Sequence, residues 1–230
     1  MGDGAAKNLA YAVSMRDRDP RRAAASVFVR RNGTFAFGGT CFAFRRANHV
    51  LTAGHCVEGL GPEDVEIAFP DAAKRATAAD LVRHPTADLA LVRLASGVPH
   101  EGVEPFAVHG RIARGERFAG FGSVAGTREH FAGRIRRVFS DEDDGHRYAE
   151  MSIAARDGFS GGPLFSPAPP FALVGVMTAN RSTPLALALA RSRALQRLQP
   201  AARSGHGVAL LVGDLSEWLD EHAPEQPREA

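Results

Sequence analysis

The chain has 230 residues, enough for one large domain or two small ones whose core needs no staples. With 44% hydrophobic and 23% charged residues it falls in the soluble globular range, which excludes disordered and fibrous classes. The formal net charge of +2 is spread over pairs such as Arg21-Arg22, Arg45-Arg46 and Arg136-Arg137, so nucleic-acid binding is not implied, and no stretch approaches the roughly 20 apolar residues that span a membrane.

Residues 1–23 read as an N-terminal extension. They carry Asp3, Lys7, Arg16, Asp17 and Arg18 and no apolar h-region, so a cytoplasmic protein is expected; the alternative is a secreted one whose leader has been removed. Beyond them, Gly recurs between short runs rich in Val, Phe, Ile and Leu, the spacing of many short strands, and the fold class is read as all-β. Strands are expected over 26–30, 34–37, 40–45, 49–52, 65–69, 77–83 and 89–94. After a connector over about 95–110, a second set covers 117–121, 130–138, 147–153, 162–165, 172–178 and 207–212. Two segments break this pattern. Residues 184–199 (PLALALARSRALQRLQ) have a helix-forming composition and predict a helical insertion. Residues 214–222 predict an amphipathic C-terminal helix capped by Asp214, with Glu217 three residues on and Leu215, Trp218 and Leu219 on one face. The tail over 223–230 is rich in Pro and charge and is expected to fray.

Three short motifs carry candidate chemistry: LTAGHC over 51–56, ADLALV over 87–92 and GFSGGPL over 158–164. A Ser hydroxyl is a poor nucleophile at neutral pH and needs a base, which in turn needs a partner to set its tautomer and support its positive charge. His55 and Asp88 supply both for Ser160. Glycines around Ser160 permit a tight backbone that aims two amide N–H groups at one spot, with Gly158 and Ser160 the natural donors of an oxyanion hole.

In this order the three motifs resemble the His, Asp and Ser motifs of the trypsin-like serine proteases, over roughly residues 24–221. The G-x-S-x-G pattern alone is shared with α/β-hydrolases, but those run Ser, acid, His, and their nucleophile leads into a helix where Pro163 here opens an apolar strand. Subtilisin's Asp, His, Ser order fails as well. The resemblance implies two packed six-stranded antiparallel β-barrels, over about 24–105 and 110–213. It also implies a catalytic triad of His55, Asp88 and Ser160 that cleaves protein or peptide substrates through an acyl-enzyme, with no cofactor. A disulfide between Cys41 and Cys56 is implied too, worth roughly 3 kcal/mol on the chain-entropy view, whereas a reducing compartment would leave two buried thiols.

By the same resemblance the specificity pocket has its base near Ala154, walls from Thr178, Ala179 and Asn180 and from about Gly207, and Asp157 at its rim. No acid lies at the base, so a small or medium apolar side chain is expected before the scissile bond. The chain departs from animal digestive members in carrying Phe159 where they place an Asp that pairs with a new N-terminus. It also lacks an Ile-Val-Gly-Gly start. No zymogen switch of that kind is expected, and the likeness is closer to bacterial and HtrA-type members, with no PDZ domain following. Such an enzyme in a cytoplasm would need restraint, which a narrow substrate or activation by a partner would supply. The acidic run over 141–145 reads as a solvated loop in preference to a calcium site, and the histidines lack zinc spacing, so no metal is expected. Two rival readings are a latent protease-fold binding module and a non-peptide acyl hydrolase.

Overall fold

Apolar residues alternate along the strands, and on several strands both faces are buried. The computed structural model describes residues 19–70, 72, 74–95, 106, 110–124, 126–140, 145–168, 171–179 and 206–224. The first six strands are β1 (Ala24–Arg31), β2 (Thr34–Phe44), β3 (Arg46–Thr52), β4 (Val65–Ala68), β5 (Ala76–Arg83) and β6 (Ala90–Leu94), closed in the order β1-β2-β3-β6-β5-β4. The second six are β7 (Arg117–Val124), β8 (Thr127–Ser140), β9 (Arg147–Met151), β10 (Pro163–Phe165), β11 (Leu173–Ala179) and β12 (Val208–Leu211), closed as β10-β11-β12-β9-β8-β7. All ladder pairs are antiparallel, so the expected pair of six-stranded barrels is what forms.

Period-two alternation explains why the two barrels share a core. On β2, Cys41 and Ala43 point into the first barrel while Phe42 and Phe44 point into the layer between barrels; on β6, Val92 points inward and Leu91 outward. Likewise on β12, Ala209 and Leu211 fill the second barrel, whereas Val208 and Leu210 join the shared layer. Phe121, Tyr148 and Phe165 reach that layer from the second barrel.

Two elements differ from expectation. Residues 34–37 and 40–45 are one strand, because the Gly38-Gly39 pair that breaks the run forms a bulge: Val27 pairs with Gly39 but Phe28 with Phe37. At the C-terminus, residues 212–214 make a 3-10 turn and the α-helix, α1, spans Ser216–His222 with Leu215 as its cap residue. Asp214 makes no cap; it pairs with Arg147 at 3.7 Å, because the buried Leu215 must enter the shared core. The first barrel then closes the helix end, as Arg45 donates to the carbonyls of Leu219 (3.1 Å) and Ala223 (2.8 Å) and Arg93 to that of His222 (3.1 Å). The predicted helix over 184–199 lies outside the described residues, and no described helix is long and apolar enough to cross a membrane.

His49 on β3 is 6% exposed, and its Nδ1 has no hydrogen-bond partner. Burial first, then the charges of Arg46 and Arg93, lower its pKa to about 4. The unfolded chain takes up this proton near the ordinary His pKa, so stability falls as pH drops from 6.5 towards 4, by at most about 3 kcal/mol. Urea unfolding at pH 7 and pH 4.5 should show His49→Gln losing that part of the pH dependence; an unaltered difference between the two pH values would exclude it.

Candidate active site

After β3 the chain passes through a 3-10 turn, Gly54–Val57, that carries His55. Asp88 stands in the turn between β5 and β6, just ahead of Leu89, which is anchored in the shared core. The imidazole of His84 holds this turn: its Nδ1 accepts the N–H groups of Thr86 (3.3 Å) and Ala87 (2.9 Å), while its own backbone N–H donates to Leu89 O (2.9 Å). Gly54 leaves room for the carboxylate, since a Cβ there would lie 3.2 Å from Asp88 Oδ1. Asp88 consequently grips His55 twice, Oδ1 accepting its backbone N–H at 2.8 Å and Oδ2 lying 2.8 Å from Nδ1. This contact assigns the ring proton to Nδ1 and leaves Nε2 with the lone pair of a base. Burial, the largest single influence, opposes a charged imidazole, but Asp88 and then Cys56, by charge and hydrogen bonding together, outweigh it and hold the His55 pKa well above the ordinary value.

Ser160 sits between two tight turns. Phe159 N–H donates to Arg156 O (3.0 Å) with Gly158 at φ +91°, and Gly162 N–H donates to Phe159 O (2.9 Å) with Gly161 at φ +83°. Both glycines are obligatory by contact as well as by angle: a Cβ on Gly158 would lie 2.2 Å from Ser123 O, and one on Gly161 2.1 Å from Thr40 O. The N–H groups of Gly158 and Ser160 have no acceptor among the described residues. Phe159 is buried, stacked on Phe131 at 5.0 Å and packed so closely on Gly122 that a Cβ there would lie 2.3 Å from its ring. The loop is thus held by apolar packing.

Thr40 is the residue that motif reading missed. Its hydroxyl donates to Gly158 O (2.6 Å) and accepts from Ser123 N–H (2.6 Å), while its backbone N–H donates to Ser160 O (2.8 Å). The carbonyls of Gly158 and Ser160 are therefore both tied to one residue of the first barrel. No local pattern marks Thr40, because its partners are distant in the chain.

The disulfide implied by the resemblance is not formed; Cys41 and Cys56 are free, buried thiols. Cys41 points into the first barrel's core, and burial, followed by Cys56, pushes its pKa well up. Cys56 Sγ turns elsewhere, lying 3.7 Å from His55 Nε2 and 3.8 Å from Ser160 O. Ser160 Oγ makes no hydrogen bond to His55 or to any other described residue. His55 Nε2 and the Ser160 carbonyl thus flank one sulfur atom. Among the described residues no group of three or more His, Cys, Asp or Glu could hold a metal ion.

A family described as "Trypsin-like peptidase domain" matches residues 39–176, a span that holds His55, Asp88 and Ser160. The chain belongs to this family. No curated protein matches it. Among solved structures, this trypsin-like peptidase is similar to the Rv3671c protease of M. tuberculosis, at 18% identity in each case. The active form has TM-score 0.64 and covers 99% of this chain and 90% of that one. The inactive form has TM-score 0.61 and 96% coverage of both chains. An inactive serine-to-alanine mutant has TM-score 0.60, covering 99% and 97%. At this identity the likeness concerns the fold.

The expected specificity residues of this trypsin-like peptidase are brought together only in part. Gly207 is buried against the segment after β9, donating its N–H to Ile153 O (2.7 Å) and accepting from Met151 N–H (2.9 Å). A Cβ on Gly207 would lie 3.1 Å from Ala155 Cβ, so Ala155 packs on this wall while Ala154, the expected base, is exposed. Thr178 is buried with Oγ1 unpartnered, Ala179 ends β11, Asp157 is exposed, and Asn180 lies outside the described residues.

Gly158→Ala should lower kcat/KM by about 10²–10³-fold, the order seen for loss of one oxyanion donor, because the added methyl would force the turn off Ser123 O. Steady-state peptide hydrolysis checks this; activity within threefold of the parent would place the oxyanion donor elsewhere.

Proposed function

We propose that the protein is a serine endopeptidase acting through an acyl-enzyme. In this reading Ser160 Oγ attacks the peptide carbonyl and forms the C–O bond while its proton passes to His55 Nε2. Asp88 orients the ring and stabilises the imidazolium, and the Gly158 and Ser160 N–H groups take the oxyanion. His55 then gives its proton to the leaving amine, and water, deprotonated by the same base, releases the acyl group. The observation that carries the reading is the doubly bonded Asp88–His55 pair facing a Ser-centred turn with two unused N–H groups. Activation by N-terminal insertion has no place in it, since the ring of Phe159 already packs beneath the turn. Small or medium apolar side chains before the scissile bond suit a wall built from Gly207 and Ala155.

A second reading, a latent protease awaiting a partner, is favoured by one observation: His55 Nε2 faces Cys56 Sγ at 3.7 Å and is not bonded to Ser160 Oγ. Fluorophosphonate labelling combined with a diverse peptide library, read by mass spectrometry, decides between them. Labelling at Ser160 with cleavage supports the endopeptidase. Labelling with turnover of esters alone makes it an acyl hydrolase, and neither labelling nor cleavage makes it latent.

A further inference from the structure

Behind the Ser160 turn, residues of both barrels line a cavity of about 450 Å³, within the size range of small-molecule sites. Phe28, Phe69 and Phe121 give it apolar walls. Its inner end is polar and buried: Ser26 Oγ and Ser123 Oγ share a hydrogen bond of 2.8 Å, and Ser123 N–H donates to Thr40 Oγ1. Its outer end is exposed and basic, formed by Arg128 and His130 of β8.

We propose that this cavity binds a small amphiphilic carboxylate, a medium-chain fatty acid in chemical type, and that its occupancy steadies the oxyanion turn. Charge at the mouth selects the head group. Asp19 lies within electrostatic reach of both Arg21, which it pairs at 2.7 Å, and Arg128, while Glu129 pairs with Arg156; among these described residues the two arginines exceed the one carboxylate, so the mouth keeps a net positive charge on the Arg128 side. One of its N–H groups donates to Arg21 O (2.7 Å), and the guanidinium carries others in a fork suited to a carboxylate. The aromatic walls select the apolar body. The buried end connects the site to catalysis, because the Thr40 hydroxyl that accepts from Ser123 also donates to Gly158 O. A chain packed against Ser26 and Ser123 restricts that tie and favours the turn that presents both N–H groups. The coupling part rests on the serine endopeptidase reading; the binding part does not.

The test uses the full chain and decanoate, with decanol as the probe lacking the head group. Titration calorimetry should give saturable one-to-one decanoate binding that Arg128→Ala weakens at least tenfold, while decanol binding, weaker in the parent, is unchanged by it. Because Arg128 is exposed, the variant should keep the parent melting temperature. Ala68→Phe, whose half-buried side chain lines the cavity on the face of β4 opposite the barrel core, should fill it and abolish binding of both probes. Saturating decanoate should raise the rate of fluorophosphonate labelling of Ser160 at least threefold in the parent and not in Arg128→Ala. Non-saturable binding, or binding indifferent to both substitutions, would overturn the site. Saturable binding with an unchanged labelling rate overturns the coupling alone, and a Ser160 that never labels overturns the endopeptidase reading while decanoate binding still judges the site.

Discussion

Ser160→Ala should lower peptide hydrolysis by about 10⁵–10⁶-fold while leaving the melting temperature unchanged, because loss of the nucleophile alone costs nearly as much as loss of a whole triad. The stability half of this expectation comes from the geometry. Ser160 Oγ makes no hydrogen bond to any described residue, so deleting it leaves no buried group unpaired. The backbone contacts of Ser160, its carbonyl with Thr40 N–H and the turn from Phe159 to Gly162, survive the substitution. Purified parent and variant are compared on a peptide cleaved by the parent, with thermal denaturation alongside. If the variant kept its activity and Cys56→Ala lost it, the nucleophile would be Cys56 Sγ, which lies 3.7 Å from His55 Nε2.

Asp88→Asn should lower kcat by about 10⁴-fold, the loss known for this substitution in the family's reference enzyme. Two physical effects combine here. An amide can turn an N–H towards His55 Nδ1, which stabilises the tautomer whose Nε2 carries the proton and cannot act as a base. Removal of the carboxylate also removes the charge that holds the His55 pKa above its ordinary value. The sign follows directly. The base works when neutral, so activity of the parent rises as pH climbs through a pKa above 6.5, and the acid limb of the variant should lie at lower pH. A pH profile of kcat/KM over pH 5–9 reads both effects; an acid limb in the same place in parent and variant would remove Asp88 from its assigned role. Folding should survive, since the Asn carbonyl can still accept the His55 backbone N–H.

The elements easiest to read from the chain were those whose cause is local. Short runs rich in Val, Phe, Ile and Leu between glycines located the strands, and the merged pair, β2, was split by the glycines that make its bulge. The start of α1 was placed at Asp214 because a cap residue followed by Glu217 is a local signature, yet the need to bury Leu215 moved the start on by two residues. Ala154 was expected near the base of the specificity pocket by resemblance; in the structure it is exposed, while its neighbour Ala155 packs on Gly207.

By itself the amino-acid sequence determined the all-β class and the order His55, Asp88, Ser160. It also determined the glycines that only a positive-φ turn with no room for a side chain explains. These depend on side-chain chemistry and on backbone sterics within a few residues. Tertiary structure alone decided that Thr40 grips Gly158 O across 118 positions of chain and that Cys56 Sγ, instead of bridging to Cys41, lies 3.8 Å from Ser160 O across 104. Hydrogen bonds of that reach form only after both barrels close and dock, and their partners are chosen by the packing of Phe42, Phe121 and Phe165 in the layer between them.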